Sequence, residues 1–194
     1  MKKWQKNVLS VLAVIFIVYL MIYIRVRTEA AREFKQAEKY YYYYHHPEEK
    51  RKDMLATLTK KRKKEKLQKG QEVASDIERF KREMTEYYYH HPEQLKPDLD
   101  FLLSGKYITQ QEYNWLMEEL KDIKEIIESD IKTAYYGYKT VIDIWLDPPG
   151  WPPSVLRNIK LARKTREILK KIEPEFSAWV NEGPSASPAA KKSK

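Results

Sequence analysis

The chain has 194 residues, 34% of them charged and 42% hydrophobic, with only five glycines and a net charge of +9. That length suits one modest domain with an appendage, and a charge-rich, glycine-poor composition suits helices. There is no cysteine, which excludes disulfides, thiolate metal sites, haem attachment through cysteine and cysteine nucleophiles.

Residues 8–24 read VLSVLAVIFIVYLMIYI, without a charge or a helix breaker. A helix of ~20 mostly apolar residues crosses a bilayer, and Val8 to Val26 reaches that length if Arg25 snorkels. No Ala-x-Ala cleavage pattern follows the apolar core, so residues 1–27 are expected to be an uncleaved transmembrane anchor. Lys2, Lys3 and Lys6 on one flank nearly balance Arg25, Arg27, Arg32, Lys35 and Lys39 on the other. The short MKK start favours an N-terminus inside and the bulk of the chain outside.

No proline or glycine occurs before Pro47, so the anchor helix is expected to continue to about His46. Ala30, Ala31, Phe34, Ala37 and Tyr41 extend its apolar stripe at helical spacing. The helix then runs into a dense phrase, EKYYYYYHHPEEK, and TEYYYHHPEQLK repeats it later in the chain. The two phrases take eight of the fifteen tyrosines and all four histidines.

A second helical stretch is expected from about Glu48 to His91, open to interruption at Gly70. Its middle, residues 60–69, reads KKRKKEKLQK, and residues 59–70 are expected to be exposed or frayed. Lys60, Lys61, Arg62, Lys63, Lys64 and Lys66 form a candidate anionic-surface site. Pro97 is placed to open a short helix that Gly105 ends, with Leu99, Leu102 and Leu103 on its apolar side. In ITQQEY, Thr109 and Glu112 have capping-box spacing, and Ile108 and Tyr113 have the spacing of a hydrophobic staple.

The residues 96–123, KPDLDFLLSGKYITQQEYNWLMEELKDI, resemble the short helical hairpin called the SHOCT domain. Leu99, Leu102, Leu103, Gly105, Ile108, Thr109, Glu112, Tyr113, Leu116 and Leu120 carry the likeness. That family's hairpin lies at a C-terminus, whereas this one lies mid-chain. The resemblance implies a small oligomerisation or interaction element and no activity.

From Tyr113 one apolar stripe continues through Leu116, Leu120, Ile123, Ile127, Ile131, Tyr135, Tyr138, Ile142 and Trp145, which predicts one long bundle-type helix. Gly137 is either a weak point in it or a site of close contact. DPPGWPP, residues 147–153, stops this helix. A last amphipathic segment is expected over 154–182 with Pro174 ending its helix, followed by a disordered basic tail over 183–194.

The likeness of the two tyrosine phrases extends outward: Phe34-Lys35 and Phe80-Lys81 precede them, and Asp53 and Asp98 follow the prolines at equal distance. This reads as a degenerate two-fold repeat of about 45 residues, at about 32–60 and 78–105, inside a helical domain spanning 28–146. Each proline disfavours helix at the residue before it, so each helix is expected to end at its His-His pair. Three roles stand open for the clusters. They are aromatic collars that lock helix ends together; or Tyr40, Tyr41, Tyr42, Tyr43, Tyr44, Tyr87, Tyr88 and Tyr89, with Trp115, form a partner-binding surface; or His45, His46, His90 and His91 are metal ligands. Adjacent histidines on a helix point ~100° apart, which makes a single pair a poor chelate.

No phosphate-binding glycine loop, nucleophile elbow or HExxH occurs, so no enzyme and no cofactor are expected. The expected fold class is all-α: one N-terminal transmembrane helix followed by a helical bundle or hairpin array. The expected function is a single-pass, membrane-anchored structural or interaction protein, an accessory subunit or scaffold with a protein partner or a second copy of itself. The alternatives are a tethered binder of anionic lipid or nucleic acid through the 60–69 basic run, with lipid the favoured partner, and a His-pair metal protein.

Overall fold

A computed structural model of the protein describes residues 3–65, 73–123, 126, 129–146 and 159–186. Among these residues the fold is all-α, with seven helices and no strand. They are α1 (Lys3–His45), α2 (Pro47–Glu65), α3 (Val73–His90), α4 (Leu95–Ser104), α5 (Gln110–Lys121), α6 (Asp130–Thr140) and α7 (Ile159–Glu182). The chain divides into two compact units, each assembled from separated segments: residues 1–38 with 134–173, and residues 39–133 with 174–194.

In the first unit, α1 is long and apolar enough to cross a membrane, and none of its apolar stretch is buried against the protein. Beyond that stretch Ala30, Phe34 and Ala37 turn inward, as do Ala134, Tyr138 and Val141 of the α6 segment and Ala162 and Thr165 of α7. Small side chains let helices approach closely. A Cβ added to Gly137 lies only 2.9 Å from the Cβ of Ala37. Gly137 is therefore a contact residue and not merely a weak point. Phe34 meets Tyr138 edge-on at 5.4 Å, and the Lys164 ammonium lies 4.6 Å above the Phe34 ring and 3.2 Å from Glu38. After Thr140 the helix widens into a π-helical turn over Val141–Leu146. The side chain of Trp145 and the proline-rich break at 147–153 lie outside the described residues.

The second unit holds the main core. Leu58 of α2, Ile77, Phe80, Met84, Tyr87 and Tyr88 of α3, Leu95, Leu99 and Leu102 of α4, Ile108, and Leu116 and Leu120 of α5 pack together. Burial of each large apolar side chain contributes about 1.5–3 kcal/mol. The capping box forms: the Thr109 hydroxyl accepts from the Glu112 N–H at 3.2 Å, and Glu112 accepts from the Thr109 N–H at 2.7 Å. Gly105 caps α4, and Lys106 after it takes the left-handed conformation, φ 54°.

Three expectations are corrected. The long helix from Tyr113 to Trp145 is two helices, α5 ending at Lys121 and α6 beginning at Asp130. Apolar periodicity runs unbroken across the gap, but Ser129 competes with it. Its carbonyl accepts from the Thr133 N–H at 3.0 Å and its hydroxyl from the Lys132 N–H at 3.3 Å, the signature of an N-cap. Pro174 does not end α7, which continues to Glu182. Proline removes one hydrogen bond and strains a helix without always ending it, and the residue after it, Glu175, is held by Tyr41 and His45. Finally, α4 starts at Leu95, behind a short 3-10 turn at Pro92–Gln94, so Pro97 lies in its first turn and does not open it.

Candidate functional site: the two histidine corners and the cleft between them

Both helices stop where proline forbids continuation, α1 at His45 and α3 at His90. The two corners then close in the same way. The His46 N–H donates to the Tyr42 carbonyl at 3.0 Å, and the His91 N–H donates to that of Tyr87 at 3.0 Å. The His46 ring stacks on Tyr42 at 4.3 Å, and the His91 ring lies 4.9 Å from Tyr87. Tyr44 meets His45 edge-on at 5.2 Å, as Tyr89 meets His90 at 5.2 Å. The Tyr43 hydroxyl donates to Asp53 at 2.6 Å, and the Tyr88 hydroxyl to Asp98 at 3.0 Å. The aspartates that follow each proline therefore anchor the tyrosine two residues before the first histidine of each phrase.

The tyrosines point mainly inward. Tyr43, Tyr44, Tyr87 and Tyr88 are buried, Tyr40 and Tyr41 are half-buried, and only Tyr42 and Tyr89 are exposed. Tyr40 donates to Glu83 at 2.7 Å, Tyr41 to Glu175 at 3.2 Å and Tyr87 to Glu48 at 2.6 Å. Burial, the accepting carboxylates and their charge raise the hydroxyl pKa values of all three, so they remain protonated donors. Trp115 is half-buried at the edge of the core with the Lys81 ammonium 4.9 Å from its ring centre.

Three of the four histidines take separate polar partners. Nε2 of His45 lies 3.2 Å from Glu175, Nδ1 of His46 contacts the Tyr42 carbonyl at 3.0 Å, and Nδ1 of His91 lies 3.6 Å from Glu93. His90 Nε2 is buried without a hydrogen-bond partner in the protein. Among the described residues no group of three or more His, Asp or Glu side chains is arranged to hold a metal ion.

The basic run is divided. Lys60 and Lys63 are exposed. Lys61 reaches Asp76, and Arg62 is buried and donates to Glu112 at 2.7 Å, where it supports the capping box. The side chain of Lys64 and the whole of Lys66 lie outside the described residues.

Sequence reasoning missed the charged centre beside the corners. A small cleft of about 10 Å³ is lined by Tyr43, Tyr44, Pro47, Lys50, Glu86, Tyr87, His90 and Asp130. Lys50, only 3% exposed, donates through its ammonium to Asp130 at 2.6 Å and stands 4.0 Å from Glu83. Glu86 accepts the Asp130 N–H at 2.8 Å through Oε2, while Oε1 is buried without a partner in the protein. Burial first, and then the Asp130 charge, push the Glu86 carboxyl up to about 7. Burial also raises Asp130, against the pull of Lys50. His90 is pushed down by burial and by His91. A signal for this centre existed. Arg79, Glu83, Glu86 and His90 recur at helical spacing, and Glu86 stands where the first phrase has Tyr41. From sequence such a stripe is indistinguishable from a solvated face.

No protein-family model, curated protein or solved structure matches this chain.

Proposed function

We propose that the protein is a single-pass, membrane-anchored helical scaffold, an accessory component tethered to a membrane for a protein partner or a second copy of itself. The observation that carries this reading is the N-terminal part of α1. Its large apolar side chains from Val8 to Ile24, such as Leu9, Leu12, Phe16 and Leu20, are exposed in a stretch long enough to span a bilayer. Leaving so much apolar area in water is unfavourable by about 25 cal/mol per Å², a cost that lipid removes.

The tyrosine phrases serve this scaffold mainly from within, as collars. The shared geometry of the two corners supports reading them as copies of one unit. Tyr42, Tyr89 and Phe101, which stay exposed, are the aromatic residues best placed for a partner. The anionic-lipid alternative loses support where Lys61 and Arg62 are engaged within the protein.

Two experiments test the reading. Alkaline carbonate extraction of cell membranes should leave the full chain in the pellet and release a variant that begins at Thr28. A full chain released by carbonate would end the anchor assignment. A photo-crosslinking residue at Tyr42 or Tyr89 in intact membranes should give a discrete adduct. Absence of any adduct from both positions would remove the scaffold reading while leaving the anchor intact.

A further inference from the structure

Two residues that line the cleft between the corners, Glu86 and His90, each carry a buried polar atom that the protein itself leaves unsatisfied, Oε1 and Nε2. An unsatisfied buried polar atom is costly, and here both belong to residues that line one small space. We propose that this cleft is a proton-binding site: one exchangeable proton resides on Glu86 Oε1 and is shared, through a single water-sized guest, with the lone pair of His90 Nε2.

The placement of the proton follows from the hydrogen bonds. Glu86 Oε2 already accepts from the Asp130 N–H at 2.8 Å, so Oε1 is the oxygen left to be protonated. A protonated Oε1 is a donor. A neutral His90 with its proton on Nδ1 presents Nε2 as an acceptor. The cleft, about 10 Å³, is the size that one bridging water occupies. The reverse arrangement, a glutamate facing an imidazolium, is disfavoured because burial and the neighbouring His91 both oppose a charge on His90.

The surrounding groups agree with this assignment on every element. α1 presents Tyr43 and Tyr44 to the cleft and Tyr40 to Glu83, and all three hydroxyls are held protonated. α2 presents Lys50, whose ammonium is committed to Asp130 at 2.6 Å; α3 presents Glu83, Tyr87 and His90; α6 presents Asp130. Glu83 is shared between Lys50 at 4.0 Å and Arg79 at 3.8 Å, so departure of the proton from Oε1 leaves the Glu86 and Asp130 carboxylates to share the ammonium of Lys50. Their repulsion falls on the joint between α3 and the first turn of α6. Rising pH therefore loosens that joint.

The test uses the full chain in detergent micelles, with 13C-carboxyl glutamate and 15N-histidine labels, followed by NMR from about pH 5 to about pH 8. The Glu86 carboxyl should titrate near neutrality, after the solvent-exposed glutamates have finished. His90 Nε2 should shift in the same step while remaining unprotonated. Glu86→Gln should abolish that His90 step. It should also remove a fall on the order of 100-fold in the folding constant between about pH 5 and about pH 7. A Glu86 that titrates with the exposed glutamates overturns the proposal, as does a His90 that gains its own proton identically in both proteins. Should the variant fail to fold, the titration of the unmodified protein decides alone. Membrane attachment does not enter these readouts.

Discussion

Tyr88 donates its hydroxyl to Asp98 at 3.0 Å, deep in the second unit, and Asp98 in turn takes both Nε and Nη2 of Arg51 at 2.7 and 2.6 Å. Tyr43 makes the corresponding bond to Asp53 at 2.6 Å, but Asp53 is exposed. The two corners share a geometry and differ in their surroundings, so equal substitutions should have unequal effects. Tyr88→Phe should destabilise the protein by about 1–2 kcal/mol, and Tyr43→Phe by about 0.5–1 kcal/mol. Urea unfolding followed by circular dichroism measures both. The reverse order would show that burial does not rank the two bonds.

Gly137 and Ala37 approach closely in the first unit, with a Gly137 Cβ placed 2.9 Å from that of Ala37. Alanine is the better helix former by about 1 kcal/mol, so Gly137→Ala at an open position would stabilise. Here it should destabilise by about 1 kcal/mol or more, because the added carbon forces the helices apart. Ala37→Gly combined with Gly137→Ala should cost less than the sum of the two single changes. Strict additivity in that double-mutant cycle would mean that the residues do not touch.

Glu112 closes the capping box of α5 and also accepts from the buried Arg62. Thr109→Ala removes only the cap and should cost about 1 kcal/mol. Glu112→Ala keeps the bond from its backbone N–H to the Thr109 hydroxyl but removes the reciprocal bond to the Thr109 N–H and a charge-assisted bond to a buried guanidinium, and should cost about 2–3 kcal/mol. Thermal unfolding of the two variants side by side checks the ranking.

Lys50 is the cation that compensates the carboxylates of the cleft. Lys50→Met should destabilise the protein by about 3–5 kcal/mol near pH 7, because it leaves buried charge without its partner. The sign of the pH dependence is fixed by protonation. Folding already raises the Glu86 and Asp130 carboxyls above their ordinary range, and loss of Lys50 raises them further. The folded form then binds more protons than the unfolded form, so stability should return as pH falls from neutrality toward the ordinary carboxylate range. Denaturation midpoints at several pH values test this. A deficit that does not change with pH would place the effect in packing alone.

Local chemistry made much of the architecture legible. The apolar run over residues 8–24, the prolines after each His-His pair, Gly105 and the Thr109–Glu112 spacing act within a few residues of themselves, and the helices begin and end accordingly. Where two local signals conflicted, periodicity misled. The apolar stripe after Tyr113 masked the Ser129 cap, and Pro174 looked like a stop although α7 passes through it.

The sequence by itself determined the helical class, the long apolar N-terminal helix and the two corners, because each depends on backbone preference or apolar spacing over one or two turns. Only the tertiary structure decided what the corners enclose. Lys50, Glu86 and Asp130 come from three different helices, and Arg62 left an exposed-looking basic run to meet Glu112. Whether a charged side chain is solvated or buried depends on which helix packs over it, and that is a property of contacts distant in the chain.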